Sequence, residues 1–425
     1  MSQSVRDAVF AQAVEEYLGW YGDPVASLNK ALDADPGFLL GYTTFAALHS
    51  ISGTPGDAEP IQTALKSAEA LATSATTKEK LHLRAAQDWA KGAITEAATA
   101  WELALAEDPH DLLALHLAHD THFYLADARK LRDVPLSVLP AQSPGSKARG
   151  YVLGMAAFGL EETGDYAAGE RAGREAVEIN PADTWAIHAV AHVLEMQGRA
   201  DEGIAWLRGL EPHWASAGGL AVHQWWHLSL YLLEAGRFDE VLSIYDAHIR
   251  AQETSQILDL VDAAALLWRL ELLGVNVGER WQALAPIWGR HAQEHVLAFN
   301  DVHIAFTLDS AGDKAGLEAL EASLARYAET GTENAKFTRE TGLPAIHALR
   351  AFRRGDFART VELLAPIRGH LKQIGGSNAQ RDLFTQTLVI AAFRAGQPEL
   401  AHQVIAERKA VKAGSPRAFA PYLAS

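Results

Sequence analysis

The chain contains no cysteine. That excludes disulfides, thiolate nucleophiles and Cys-ligated zinc or iron–sulfur centres, and it fits a reducing compartment. Strand signals are almost missing: there is no alternating β-branched run bounded by turn residues. No uninterrupted apolar run reaches the roughly 18–20 residues that a membrane span needs. The opening stretch, MSQSVRDAVFAQAVEEYLGW, lacks the basic start and apolar core of a secretory signal. Positive charge is short too. Against 53 Asp and Glu there are 37 Lys and Arg, a net charge of -16, with no basic cluster. Such a chain repels phosphate backbones. The expectation is a soluble cytoplasmic protein with neither a nucleic-acid nor a membrane partner, its oligomeric state left open. Also missing are GxSxG, a P-loop, GxGxxG and HExxH, so serine-hydrolase, nucleotide and dinucleotide chemistry have no support.

What is present is ordinary globular material, 425 residues long, 48% hydrophobic and 21% charged. One unit recurs: an amphipathic helix, a Gly with a polar or aromatic neighbour, a second helix, and often a Pro. It reads clearly in EETGDYAAGERAGREAVEINP (161–181), EMQGRADEGIAWLRGLEP (195–212) and LEAGRFDEVLSIYDAHI (233–249). Gly after a periodic apolar run ends a helix in the left-handed conformation, and the polar residue beyond it can cap the next helix. The turn glycines Gly164, Gly198, Gly236, Gly274 and Gly312 lie 34, 38, 38 and 38 residues apart. A 34-residue helical hairpin is the tetratricopeptide period. The fold class expected is all-α, a tetratricopeptide-like α-solenoid of about ten helical hairpins. It is read as one domain over 1–425, with N-terminal repeats over 1–138, a main repeat body over 150–410 and a loosely docked tail over 411–425. Polar connections are expected at 53–59, 139–150, 329–342 and 374–382, with Ser377 or Asn378 capping the helix after the last.

Candidate chemistry gathers around 183–234. His188 with His192, and His223 with His227, are pairs four residues apart, each pair on one helix face. They sit in WAIHAVAHVLEM and VHQWWHLSLYLL, which are otherwise strongly apolar, and a buried imidazole costs free energy unless it is hydrogen-bonded. Counted back from its turn glycine, His188 is at 10, His227 and His303 at 9, Asp262 at 12 and Asp301 at 11. Successive inner helices would then set these imidazoles and carboxylates at one level of a groove. His188, His227, Asp262, Asp301 and His303 are the candidate catalytic residues. Asp120, Phe123, His192, His223, Trp226, Trp268 and Arg269 are candidate ligand-binding residues. Bland readings stand beside these. Most tryptophans are core. Asp262 either faces its helix dipole or meets a histidine. His291 and His295, a third pair, look polar and exposed. Four His plus Asp could make a zinc or iron site, and His188 and His192 could share one ion; no metal ligand is assigned, and a metal is the lesser alternative to having no cofactor. A His–Asp pair in general acid–base work accounts for the same residues.

The same stretches resemble the tetratricopeptide repeat protein 38 family. The matching segments are AHDTHFYLAD (118–127), GMAAFGLEETGDY (154–166), DTWAIHAVAHVLEMQGR (183–199) and HQWWHLSLYLLEAG (223–236). DLVDAAALLWRLELLGVNVGERW (259–281), FNDVH (299–303) and GGSNAQRDLF (375–384) complete them. The likeness spans roughly 90–410. It implies a tetratricopeptide-like solenoid and carries no biochemical role or catalytic assignment. The functional expectation is a solenoid enclosing a small-molecule site. If it is an enzyme, the reaction is a proton-transfer type: a hydrolysis, isomerisation or elimination. The alternative is an interaction scaffold that binds a peptide or protein partner.

Overall fold

Each hairpin begins as a sequence event. In the 161–181 unit, Gly164 takes φ 86° and closes one helix, then the Asp165 side chain accepts from the Ala168 amide at 3.2 Å and opens the next. Asp127, Asp313 and Asp356 cap their helices in the same way. All five turn glycines singled out by the repeat have φ between 70° and 86°, the left-handed region where a Cβ would be strained.

The computed structural model describes residues 3–251, 254–414 and 416–423. Among the described residues there is no strand. The fold is all-α, a tetratricopeptide-like α-solenoid, and consecutive helices pair as hairpins along the chain. Lys147–Glu162 packs on Tyr166–Ile179, and Asn378–Arg394 on Pro398–Lys409. No helix is long and apolar enough to cross a membrane, among the described residues.

Two loops are shorter than expected. The helix Lys147–Glu162 starts inside the 139–150 connection, capped by Ser146. Within 329–342 the chain forms the short helix Glu333–Phe337 and a wide turn over Thr338–Gly342, started by Thr332, whose hydroxyl accepts from the Ala335 amide. Ser377 is the cap expected in GGSNAQRDLF. Its hydroxyl accepts from the Gln380 amide, and the Gln380 side chain accepts from the Ser377 amide.

The chain divides into two compact units. Unit 1 is Met1–Val190 with Leu210–Ala221, and unit 2 is Ala191–Gly209 with Val222–Ser425. The repeat pattern alone predicts one continuous domain. The division falls inside the helices Thr184–Met196, Ala200–Trp214 and Gly218–Glu234, where no loop marks it. The core of unit 1 buries Trp101, Phe158 and Leu28. That of unit 2 buries Trp226, Trp268, Phe306 and Phe384.

The 411–425 segment departs from its expectation as a loose tail. Lys412 forms ion pairs with Glu195 and Asp382, the Ala413 amide donates to the Met196 carbonyl at 2.7 Å, and Phe419 is fully buried. Residues 415, 424 and 425 of that segment lie outside the described set.

Candidate functional site

The apolar helix Gly218–Glu234 carries His223, Trp226 and His227 on one face, because residues three and four apart align. His192 and Glu195 share a face of Thr184–Met196 for the same reason. Asp262 lies in the second turn of Ile257–Leu272. Unit 2 brings these groups together in its interior.

Two buried histidine–carboxylate pairs result. His223 Nδ1 lies 2.7 Å from Asp262 Oδ2, and His227 Nδ1 lies 3.1 Å from Glu195 Oε2. The His223 and His227 rings meet edge to face at 4.7 Å, and the His192 ring meets His227 at 4.4 Å. Trp226 stacks on His223 at 5.2 Å, and the Arg269 guanidinium lies over Trp226 at 5.3 Å. Of the two readings of Asp262, the pairing with a histidine is the one realised.

Burial sets the protonation. It holds His227 well below the ordinary imidazole value, and the charges of His192, His223, Lys412 and Arg269 add to that. It pushes Asp262 up, against the pull of His223. Asp259 is raised to about 7 by burial and then by the charge of Asp262.

Glu195 joins the pairs to a cavity of about 110 Å³. Its Oε2 faces His227, and its Oε1 accepts from Lys412 Nζ at 2.7 Å. Six side chains of the charged types line the cavity: Glu195, Glu234, Arg269, Asp382, Arg408 and Lys412. Arg408 grips Asp382 with two hydrogen bonds of 2.7 and 2.9 Å, and Lys412 adds a third contact at 3.2 Å. Burial alone would raise the Asp382 carboxyl. Lys412 and Arg408 outweigh it and hold the group well below the usual carboxylate range. Burial likewise pulls Lys412 down, and Asp382 and Glu195 overcome that and raise it. Arg269 donates to the Ala379 and Gln380 carbonyls, which fixes its position on the wall.

The remaining candidate residues divide between the two units. Asp120, Phe123 and His188 belong to unit 1. There Asp120 accepts from the Tyr17 hydroxyl at 2.5 Å, Phe123 contacts Phe158, and His188 packs against Phe158 and Trp185. In unit 2, Asp301 pairs with His295 Nδ1 at 3.0 Å, while His295 Nε2 reaches Ser323 at 2.8 Å. His295, read as exposed, is therefore buried, and it takes the carboxylate expected to face a groove histidine. His303 Nδ1 donates to the Phe299 carbonyl at 2.7 Å, and burial lowers its pKa to about 4. A neutral, backbone-tied imidazole is a core residue. Trp268 is likewise engaged with structure, donating to the Thr387 hydroxyl at 3.0 Å.

Glu195, Asp382, Arg408 and Lys412 are not among the candidates that the sequence pattern singles out. The signals were present. Glu195 is three residues after His192, Asp382 sits in the GGSNAQRDLF segment, and Arg408 lies in the last turn of Pro398–Lys409 with Lys412 four residues on, beyond the helix.

No protein-family model matches the chain. Among solved structures it is similar to a Rap protein complexed with Competence and Sporulation Factor, at 12% identity over 76% of this chain and 98% of that one, TM-score 0.47. It is similar to human IFIT1 in a dimer with m7Gppp-AAAA, at 13% identity over 97% and 96%, TM-score 0.42. It is also similar to yeast Tom70, at 10% identity over 100% and 95%, TM-score 0.36. The repeat fold stands on this chain's own helices and turns, and the likeness to the tetratricopeptide repeat protein 38 family stays a resemblance of sequence.

Proposed function

We propose that this chain is a helical-repeat binding protein that takes a small, polar, charged metabolite into unit 2. The carrying observation is the cavity wall. Three cationic and three anionic side chains converge on about 110 Å³, and one of them, Glu195, also pairs with His227, whose ring meets that of the His223–Asp262 pair. Placing ionisable groups in a protein interior costs several kcal/mol per group unless each is paired, and apolar packing of the same volume is often as stable. A site that keeps so many of them is the usual form of a ligand pocket: a few convergent polar groups on an apolar frame. A balanced wall suits a ligand bearing both a carboxylate and a cationic or hydrogen-bonding group. If the protein turns its ligand over, His223–Asp262 and His227–Glu195 are the acid–base pairs, and the reaction is a proton transfer.

The test is a thermal-shift screen of small zwitterionic and carboxylate metabolites against the full chain. A ligand at 100 times its Kd adds about 2.7 kcal/mol, or about 5–10 °C for a unit of this size. Ala200 is a half-exposed lining residue, so Ala200→Phe takes up cavity space without removing a charge, and it should abolish that shift. No shift with any compound, or an equal shift in Ala200→Phe, counts against the reading.

The repeat architecture itself favours a second reading, an interaction scaffold for a peptide or protein partner. In that case a partner would bind wild type and Ala200→Phe alike, and small metabolites would leave the melting temperature unmoved.

A further inference from the structure

We propose that His192, His223 and His227 form a binding site for one divalent transition-metal ion of the zinc type.

Three observations converge on it. The first is proximity. Each of the three side chains offers a ring nitrogen, and these nitrogens lie within 4.8 Å of one another. Nitrogens bound to zinc at 2.0–2.1 Å stand about 3.3 Å apart in a tetrahedron, so binding would draw the rings in by about 1.5 Å.

The second is the outer shell. A ligating histidine almost always donates its other ring N–H to a carboxylate or carbonyl, which fixes the tautomer and aims the ligating nitrogen. Here His223 turns Nδ1 to Asp262 at 2.7 Å and His227 turns Nδ1 to Glu195 at 3.1 Å. With the proton on Nδ1, Nε2 is the lone-pair nitrogen of both rings. The two carboxylates also bring negative charge to a place where a dication would sit. Arg269 and Lys412 oppose it, and Lys412 is itself engaged by Glu195 and Asp382.

The third is donor chemistry. Imidazoles select zinc, iron, copper or nickel, whereas magnesium and calcium take oxygen ligands. Three histidines with a further position open to water or ligand is an arrangement of catalytic rather than closed structural zinc sites. The cavity bounded by Glu195 is the neighbouring space. The proposal shares the site of the small-molecule reading, but metal analysis and the metabolite screen succeed or fail separately.

The experiment uses the full chain, stripped with chelator, dialysed and titrated with cobalt(II) and then zinc(II) alone. Stoichiometry comes from elemental analysis and geometry from the cobalt visible spectrum. The expected result is one ion per chain and an intense four-coordinate cobalt band that zinc displaces. His223→Gln and His227→Gln should each weaken binding more than 100-fold. Asp262→Asn and Glu195→Gln, which keep every ligand and act by positioning, should weaken it about 10–100-fold. Circular dichroism identifies any variant that fails to fold, and the outer-shell pair then carries the test. Less than 0.2 ion per chain in the wild type, or binding left unchanged by both His223→Gln and Asp262→Asn, overturns the proposal.

Discussion

Lys412→Met tests the buried charge network most sharply. Lys412 Nζ sits between Glu195, at 2.7 Å, and Asp382, at 3.2 Å, and its side chain is only 12% exposed. Methionine keeps the length of the stem and removes the cation. Asp382 retains both hydrogen bonds from Arg408, so the damage falls on Glu195, which keeps only His227. Breaking a buried ion pair by deleting one partner costs about 3–5 kcal/mol, because the other charge stays buried. With Asp382 still compensated, the lower end applies, about 3 kcal/mol. For a unit of this size each kcal/mol moves Tm by about 2–4 °C, so unit 2 should melt about 6–12 °C lower. Glu195→Gln added to Lys412→Met should recover much of the loss, because the stranded charge is then gone. An exposed pair gives the contrast. Removing Arg368, which bonds Glu407 at the surface, should cost under about 1 kcal/mol. The readout is tryptophan fluorescence during thermal and urea unfolding, with limited proteolysis reporting release of the segment beyond Lys412. A Lys412→Met protein within about 0.5 kcal/mol of wild type, with its C-terminal segment still protected, would refute the reasoning.

Two further outcomes follow from unit 1. Burial raises Asp183 to about 7, while its Oδ1 caps a helix by accepting from the Ala186 amide. An acid whose folded pKa lies above its unfolded one loses stability as pH rises from about 4 to 7. Asp183→Asn keeps an acceptor and removes that penalty, so its gain over wild type should reach about 2–4 kcal/mol at pH 8 and nearly vanish at pH 4; equal differences at both pH values would contradict this. At Gly159 an added Cβ would stand 2.3 Å from the Leu131 carbonyl oxygen, where Lys147–Glu162 crosses Ala128–Val138. Gly159→Ala should therefore cost more than about 3 kcal/mol, or prevent folding. Gly164→Ala meets no atom within 4 Å and should cost only its left-handed backbone, about 1–2 kcal/mol. Far-ultraviolet circular dichroism melts of both variants check the order.

The fold was legible because its signals are local. A glycine, an aspartate and an apolar stripe at helical spacing decide each hairpin without reference to the rest of the chain, and Gly164-Asp165 does so within two residues. The site was legible only in part. His223, His227 and Asp262 could be singled out because polar residues stood in apolar helices. Their pairing depended on rotation about each helix axis, and counting back from a turn glycine does not resolve that. The repeat count sets His227 level with His303, yet His227 meets Glu195. Asp301 was aimed at a groove and meets His295 across a six-residue separation. Long-range partners such as Lys412 and Glu195, 217 residues apart, leave no periodic trace. The division into two units was invisible because it runs through helices rather than loops.

The central claim is that the interior of unit 2 is a binding site and not merely packed polar core. A crystal structure of the full chain, purified without chelator and soaked with the compounds that raise its melting temperature, tests it most directly. Non-protein density is expected in the cavity bounded by Glu195, Arg269, Asp382, Arg408 and Lys412. Ordered water alone in that cavity after soaking, or side chains collapsed across it, would contradict the account.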